Sequence, residues 1–229
     1  AGLAWRPPVG GRFRAAALRE AAPASVSLAP ATVLGLAPLR PGFAAGGELW
    51  GGILRWDADL GARLHLAVEH QSLRLEGLSW DTGDLLVEFG VPRATLHATE
   101  ATANLWLGGG FGLSAGLVHA QSRIDEGPAT GRRLPDAPDW TARAGIAWAN
   151  PAQIRASLDA IWTSDAWAGP GEGRLGPVWT LDAGLSWEPL EKRLSLAAEM
   201  RNLLDAELER PFGQAPLGRS IWLTAAVRF

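Results

Sequence analysis

The chain has 229 residues and a formal net charge of −3, and its 21 basic residues are scattered, so its charge gives no electrostatic support for a nucleic-acid surface. It contains no cysteine, which excludes disulfides, thiolate metal sites and cysteine nucleophiles. The mean hydropathy is near zero, and no window holds the roughly 20 continuous apolar residues of a membrane helix. A membrane β-strand needs only about 10 residues, and every second one can be polar.

Alternation of apolar and polar residues predicts about eleven β-strands, because successive side chains of a strand point to opposite faces. The segment 178–188 shows the pattern clearly: Trp179 and Leu181 fall on one face, and Thr180 and Asp182 fall on the other. The predicted strands are residues 2–6, 12–19, 47–56, 62–71, 94–107, 111–120, 140–148, 154–163, 178–188, 193–203 and 218–229.

The connections between these strands alternate in length. Short turns are predicted at residues 7–11, 57–61, 108–110, 150–152 and 189–192. Long connections are predicted at residues 20–46, 72–93, 121–139, 164–177 and 204–217. Short turns on one side and long loops on the other are typical of outer-membrane barrels, whose turns are periplasmic and whose loops are extracellular. By this rule the last strand leaves Phe229 in the periplasm.

Tryptophans recur at the ends of the predicted strands. Trp140 and Trp148 are eight residues apart on one face, and so are Trp179 and Trp187. Each pair spans about 26 Å along the strand, or about 20 Å along the membrane normal for a tilt of about 40°. This is roughly the height of a lipid-facing apolar band with an aromatic residue at each border. The predicted membrane-interface residues are therefore Trp140, Trp148, Trp162, Trp179 and Trp187.

The opposite face of the same strands carries regularly spaced charges of both signs. Regular inward placement predicts a hydrated lumen whose charges compensate one another, because a lone charge near lipid costs about 2–4 kcal/mol. The predicted lumen-lining residues are Arg143, Arg155, Asp159, Asp182, Arg193, Glu199, Arg201 and Arg228.

Motifs near the C-terminus carry a family resemblance. Residues 199–205 read Glu-Met-Arg-Asn-Leu-Leu-Asp, followed by Pro211-Phe212-Gly213, Gly218-Arg219-Ser220 and Val227-Arg228-Phe229. Weaker matches lie at residues 39–49, 98–101 and 134–138. In this combination the chain resembles the C-terminal half of TonB-dependent receptors, the 22-stranded outer-membrane transporters with an N-terminal plug.

The resemblance implies an all-β fold, an antiparallel transmembrane β-barrel in the bacterial outer membrane. About 10–12 strands would lie in this chain, either as a complete barrel or as part of a 22-stranded barrel. We expect residues 1–229 to form a single barrel domain or a C-terminal barrel segment, without a plug domain. The odd strand count leaves two explanations open: a strand missed in residues 20–46 or 72–93, or a piece of a larger barrel. The implied function is uptake or passage of an unidentified solute, with the lipid bilayer as a partner and no nucleic acid.

The last strand also resembles the signal that such barrels present to the outer-membrane assembly machinery. An edge strand with a regular apolar face is suited to strand addition. The implied signal residues are Ile221, Leu223, Val227 and Phe229. The alternative is that Phe229 is only a lipid-facing anchor.

No pattern predicts catalysis, a cofactor site or a metal site. The four histidines form no His-x-x-x-His pair, and the glycines at 108–110 precede a strand, so they indicate a turn and not a phosphate loop. No Gly-x-Ser-x-Gly motif occurs. Three alternatives stay open: a barrel enzyme, an engineered or truncated barrel acting as a pore or scaffold without a native ligand, and a soluble β-sandwich binding module.

Overall fold

The computed structural model describes residues 1–7, 10–21, 44–45, 47–81, 88–171, 173–189, 193–209 and 218–227. Within these ranges no helix is long and apolar enough to cross a membrane. The described secondary structure consists of β-strands, which confirms the predicted fold class.

All eleven predicted strands are present, and three two-residue strands accompany them. In chain order the strands are β1 Gly2–Trp5, β2 Arg12–Ala21, β3 Ala44–Ala45, β4 Glu48–Leu60, β5 Leu64–Asp81, β6 Glu88–Gly108, β7 Phe111–Glu126, β8 Trp140–Ala149, β9 Ile154–Thr163, β10 Ala166–Trp167, β11 Arg174–Leu175, β12 Val178–Trp187, β13 Leu194–Arg201 and β14 Ser220–Val227.

The long strands form one antiparallel meander in which each strand pairs with its neighbour in sequence. The order is β1-β2-β4-β5-β6-β7-β8-β9-β12-β13-β14, and β10 pairs with β11 in a separate small hairpin. The strand β3 pairs with β5 in the same register as β4 does, so it continues the β4 ladder. Among the described strands β1 and β14 are the two edges, and the sheet is not closed. An open sheet of this kind is compatible with part of a barrel wall.

Short turns gather at one end of the sheet, the turn end, and longer connections gather at the other, the loop end. The turn between β6 and β7 shows why glycine is needed there. Gly108, Gly109 and Gly110 all have positive φ, a conformation that costs little only for glycine. A Cβ on Gly110 would also lie 1.9 Å from the carbonyl oxygen of Ala149. The predicted glycine turn is therefore confirmed.

The predicted long connection at residues 72–93 is wrong. The strands β5 and β6, 18 and 21 residues long, pair as far as Asp81 and Glu88. Both are about twice the length that crosses a bilayer. The alternation continues beyond residue 71, but its outer face changes from apolar residues to charged ones such as Arg74 and Glu76. The sequence pattern of a lipid-facing strand therefore ends, whereas the hydrogen bonding between β5 and β6 continues.

The apolar core lies at the loop end, on the side of the sheet that also carries the predicted luminal charges. Its buried residues come from β4 to β7 and from the connection after β7, and the hairpin β10–β11 contributes Trp167 at its border. Phe89 packs against Trp80 and against the edge of Trp167, with ring centroids 6.0 and 5.9 Å away. The core consists of Leu49, Leu73, Leu75, Leu78, Trp80, Phe89, Val91, Ala94, Leu96, Ile124 and Leu134.

Candidate functional site: the two faces of the sheet

One face of the sheet, the outer face, exposes large apolar side chains along its whole width. A single row of register partners crosses nine strands on this face, and most of its members are aromatic or aliphatic. Trp5, Trp179 and Val68 in this row are 57%, 59% and 42% exposed. Exposure of this extent is typical of a surface that contacts lipid or another protein. The row is Trp5, Phe13, Trp56, Val68, Ala101, Leu117, Ala142, Trp162 and Trp179.

The five predicted interface tryptophans all lie on this outer face. Trp140, Trp179 and Trp187 are exposed, whereas Trp148 and Trp162 are half-buried. The half-buried pair is shielded by aromatic neighbours: Trp162 lies beside Trp179 with ring centroids 6.3 Å apart, and Phe111 lies 6.2 Å from Trp148. The tryptophans form two groups along the strands: Trp140, Trp162 and Trp179 lie near the loop end, and Trp148 and Trp187 lie near the turn end.

Both groups shift steadily from strand to strand. Ala142 of β8 is in register with Trp179 of β12, two strands away. Trp140 lies two residues nearer the loop end than Ala142, and therefore two residues nearer it than Trp179. Leu185 of β12 is in register with Trp148 of β8. Trp187 lies two residues nearer the turn end than Leu185, and therefore two residues nearer it than Trp148. Both borders thus move one residue per strand in the same direction.

The same shift extends to β4. Trp50 lies six residues nearer the loop end than Trp56, and the row of Trp56 reaches Trp179 after six strand-to-strand steps. A shift of about 3.3 Å for every strand spacing of about 4.8 Å corresponds to strands tilted by about 35°. Barrel strands have this tilt.

The other face, the inner face, pairs most of the predicted luminal charges. Arg143 donates through Nη2 to Oδ1 of Asp159 at 2.8 Å and through Nε at 3.1 Å. Arg155 lies 3.6 Å from Glu188. Arg201 lies 3.8 Å from Glu199 and 5.0 Å from the ring centre of Trp222.

Two predicted luminal residues in the described part of the chain are not brought into ion pairs. Asp182 accepts the backbone N–H of Asn202 at 2.9 Å, so its carboxylate holds a turn. Arg193 is exposed and forms no ion pair within the described ranges. Arg228 lies outside the described residues, as does Phe229.

A second group of inner-face charges, in the N-terminal strands, is absent from the predicted list. Asp57, which is 5% exposed, accepts hydrogen bonds from Arg12 at 2.9 Å and from Arg14 at 3.1 Å. Glu69 accepts a bond from Gln71 at 2.7 Å and lies 3.4 Å from Arg55. The sequence could have predicted this group from polar residues that are two positions apart within one strand. These are Arg12 and Arg14, Arg55 and Asp57, and Glu69 and Gln71.

The Asn-Leu-Leu-Asp segment forms a turn that ties three strands together. Asn202 is buried, and its side chain donates to the carbonyl of Ala206 at 2.7 Å and accepts the N–H of Ala206 at 3.0 Å. Asp205 accepts the backbone N–H of Arg219 at 2.9 Å. The backbone N–H of Asn202 also donates to the carboxylate of Asp182 in β12. The motif therefore fixes the entry to β14 against the end of β13.

The described residues contain no group of three or more His, Cys, Asp or Glu side chains that could hold a metal ion. His65 sits beside Asp59 at the turn end, with Nδ1 and Oδ1 2.8 Å apart. The other three histidines lie on the outer face near the loop end.

Comparison with known proteins identifies the same architecture. The model of the family "TonB dependent receptor-like, beta-barrel" matches residues 48–203. No curated protein sequence matches the chain.

Several solved outer-membrane receptors have a similar fold. The ferric yersiniabactin uptake receptor FyuA from Yersinia pestis gives a TM-score of 0.64 at 15% identity, covering 100% of this chain and 36% of that receptor. A ferric enterobactin receptor from Pseudomonas aeruginosa gives 0.67 at 16% identity, covering 98% and 39%. The FrpB iron transporter from Neisseria meningitidis gives 0.64 at 13% identity, covering 98% and 38%. The chain thus spans little more than a third of the length of these receptors.

The buried position of Asp57 predicts a large cost for removing its charge. Asp57→Asn leaves Arg12 and Arg14 without their anionic partner, so we expect the free energy of unfolding to fall by about 2–3 kcal/mol. Asp59→Asn is the matched control, because Asp59 lies on the same face of the same strand with its side chain 82% exposed. There we expect a loss below about 0.5 kcal/mol. Urea unfolding in detergent micelles measures both, and equal losses would contradict the role of burial.

The contact of Asp205 with Arg219 predicts a pH dependence at the start of β14. The backbone N–H and then the guanidinium of Arg219 hold the pKa of Asp205 below its ordinary value. A lowered pKa in the folded state means that the stabilisation is complete above the unfolded pKa of about 4 and is lost as the pH falls through the folded value. We expect hydrogen-exchange protection of the Arg219 amide to follow this course.

Two variants separate the charge of Asp205 from its hydrogen bond. Asp205→Asn keeps an acceptor that cannot ionise, so the acid-dependent loss of protection should disappear. Glu207→Gln removes an exposed acid two residues away and should keep the original profile. A titration that survives in the Asp205→Asn variant would refute the assignment to Asp205.

Proposed function

Because the chain belongs to the TonB-dependent receptor-like β-barrel family, we propose that it forms part of the wall of a barrel that takes up a solute across the bacterial outer membrane. The family and its structural relatives are outer-membrane proteins, and so is this chain. The observation that supports this proposal most directly is the division of one sheet into an exposed apolar face and a face of paired charges. This division suits a wall with lipid on one side and a hydrated interior on the other.

The outer-face tryptophans are proposed to mark the two borders of the lipid contact. Their common place on the outer face and their common shift along the sheet support this role. On β8 the separation of eight positions between Trp140 and Trp148 corresponds to about 22 Å along the membrane normal at a tilt of about 35°. An apolar band of outer-membrane barrels is about 25 Å tall. The predicted interface residues therefore remain our proposal for the membrane anchors.

The inner-face charges are proposed to line the passage. Paired charges of opposite sign cost less beside a low-dielectric wall than isolated ones. Both groups give the interior a polar surface: Arg143 with Asp159 carries no net charge, and Arg12 and Arg14 with Asp57 carry one net positive charge.

The solute is proposed to be a ferric chelate. The similar structures are those of a ferric yersiniabactin uptake receptor, a ferric enterobactin receptor and an iron transporter. The apolar core at the loop end, with Trp167 against Phe89, lies on the inner face. It therefore stands where an incoming solute would first meet the wall.

The strand β14 is proposed to act in assembly. Among the described strands it pairs with β13 alone, and its outer-face residues Ile221, Leu223 and Val227 are 58%, 80% and 59% exposed. An apolar strand with a free edge is suited to pairing with a strand of another protein. Phe229 would complete this apolar face by its alternation with Val227.

The orientation predicts which ends of the strands face the cell exterior. The chain has no cysteine, so a single introduced cysteine is the only thiol that a maleimide can label. Thr130→Cys, in the exposed connection after β7, should react with a membrane-impermeant maleimide on intact cells. Ala62→Cys, in the turn between β4 and β5, should react only after the outer membrane is opened. The reverse labelling would contradict the orientation.

Uptake is tested by accumulation of radioactive iron supplied as a ferric catecholate chelate. We expect cells that produce the protein to accumulate iron above cells that lack it, and an uncoupler to abolish the difference, because import against a gradient needs an energy source. Accumulation that persists with the uncoupler, together with discrete conductance steps in a planar bilayer, would support a passive pore instead. No difference between the cells would contradict uptake of this solute class.

A further inference from the structure

A cavity of about 600 Å³ opens on the inner face at the turn end of the sheet. Its volume lies within the range of about 300–1,000 Å³ that is typical of ligand pockets. The apolar core lies at the opposite end of the strands, so the cavity is separate from the place where the proposed chelate would enter. The polar and aromatic residues that line it are Asp59, Arg63, His65, Asn104, Trp106 and Ser114.

Four of these side chains, the polar row, lie side by side on neighbouring strands. Asp59 of β4 is in register with His65 of β5, and Asn104 of β6 is in register with both His65 and Ser114 of β7. Neighbouring members are therefore one strand spacing, about 4.8 Å, apart. Asp59 and His65 are bonded to each other at 2.8 Å, whereas the side chains of Asn104 and Ser114 form no hydrogen bond within the described part of the chain. The polar row thus offers donors and acceptors to a molecule in the cavity.

Trp106 lies beside the polar row with much of its indole uncovered. It follows Asn104 by two residues on the same face of β6 and is 48% exposed. Its neighbours in register on the next two strands are Gly112 and Ala147, which are too small to cover the ring. A Cβ on Gly112 would lie 3.9 Å from Cε3 of the indole. A β-bulge follows Trp106 directly, and bulges often re-aim a side chain at barrel rims and functional sites.

An indole exposed on the hydrated face of the sheet requires an explanation. The tryptophans proposed to border the lipid lie on the outer face, whereas Trp106 lies on the inner one. Trp222 is also exposed on the inner face, but the guanidinium of Arg201 lies over its ring, 5.0 Å from the ring centre. Among the residues that the structure describes, neither a cation nor another aromatic ring contacts Trp106 in this way. Its exposed indole face is therefore available to a ligand.

We propose that this cavity, the Trp106 cavity, binds a neutral saccharide. A pyranose ring has a flat face of C–H groups that can stack on an indole, and its hydroxyl groups both donate and accept hydrogen bonds. Trp106 supplies the stacking surface, and the polar row supplies partners for the hydroxyl groups. With histidine neutral, the charges of Asp59 and Arg63 cancel, which favours an uncharged ligand over an anionic chelate. The saccharide is therefore a second ligand class, beyond the solute of the proposed function.

Saturation-transfer NMR of the protein purified in lauryldimethylamine oxide tests the proposal, because this detergent contains no sugar. The probes are maltose and N,N′-diacetylchitobiose, and sorbitol is the control ligand because this open-chain polyol has no ring face. We expect a disaccharide to receive saturation mainly at the C–H protons of one ring face, and sorbitol to receive none. Preference for maltose would assign the site to a free solute, whereas preference for N,N′-diacetylchitobiose would assign it to the N-acetylated glycan of the cell wall.

Variants assign the binding to the Trp106 cavity. Trp106→Ala should lower the affinity roughly tenfold, because it removes the stacking surface. Gly112→Val should weaken binding while keeping the indole, because the added side chain fills space beside the ring at a position without positive φ. Trp222→Ala is the matched control, because Trp222 is 47% exposed on the same face but does not line the cavity. This variant should bind as the unaltered protein does.

Three outcomes would overturn the proposal. Unchanged affinity in both the Trp106→Ala and the Gly112→Val variants would exclude this cavity as the site. Saturation of neither disaccharide would exclude the saccharide as the ligand. Saturation of adenosine in place of both disaccharides would show that the cavity takes a planar aromatic ligand instead. None of these measurements involves iron accumulation, so their failure is distinguishable from a failure of the proposed uptake.

Discussion

Hydrogen bonding of the backbone is the constraint on which this structure depends. In hydrocarbon no water satisfies an exposed N–H or C=O group, so a strand crossing a membrane has to bond to a neighbour on each side. The meander meets this requirement for the long strands between its edges β1 and β14, because each of them pairs with the strand before it and the strand after it. Because pleated strands alternate their side chains, such a ladder allows one face to be apolar within the membrane and leaves the other free to be polar.

Register then decides which side chains become neighbours. Arg143 meets Asp159 because β8 and β9 are paired so that Gly145 lies opposite Asp159. A Cβ on Gly145 would come within 2.4 Å of a carboxylate oxygen of Asp159, so glycine makes room for the ion pair. The same pairing spreads the tryptophans into two lines that cross the sheet obliquely. A shift of one residue in one ladder would place the outer-face residues of that strand inward.

The connections use different physics from the strands. At the end of β13, Asn202 and Asp205 replace missing backbone partners with side-chain ones, because both have positive φ, where the ladder cannot continue. At the loop end, Leu134 and Trp167 pack on the inner face and cover the tall β5–β6 hairpin. Hydrophobic burial, which contributes little on a lipid-facing surface, stabilises the fold here, where water is the alternative environment.

The sequence by itself determined the eleven strands, their faces, the glycine turn at 108–110 and the family, since a period of two and short turns are local properties. It could also pair Trp140 with Trp148 in advance, because both lie on one strand. Only the tertiary structure decided the partners across strands, such as Asp57 with Arg12 and Arg14, 45 and 43 residues apart. It also showed that β5 and β6 continue past the apolar band. These features depend on register and tilt, which arise from the pairing of all the strands together.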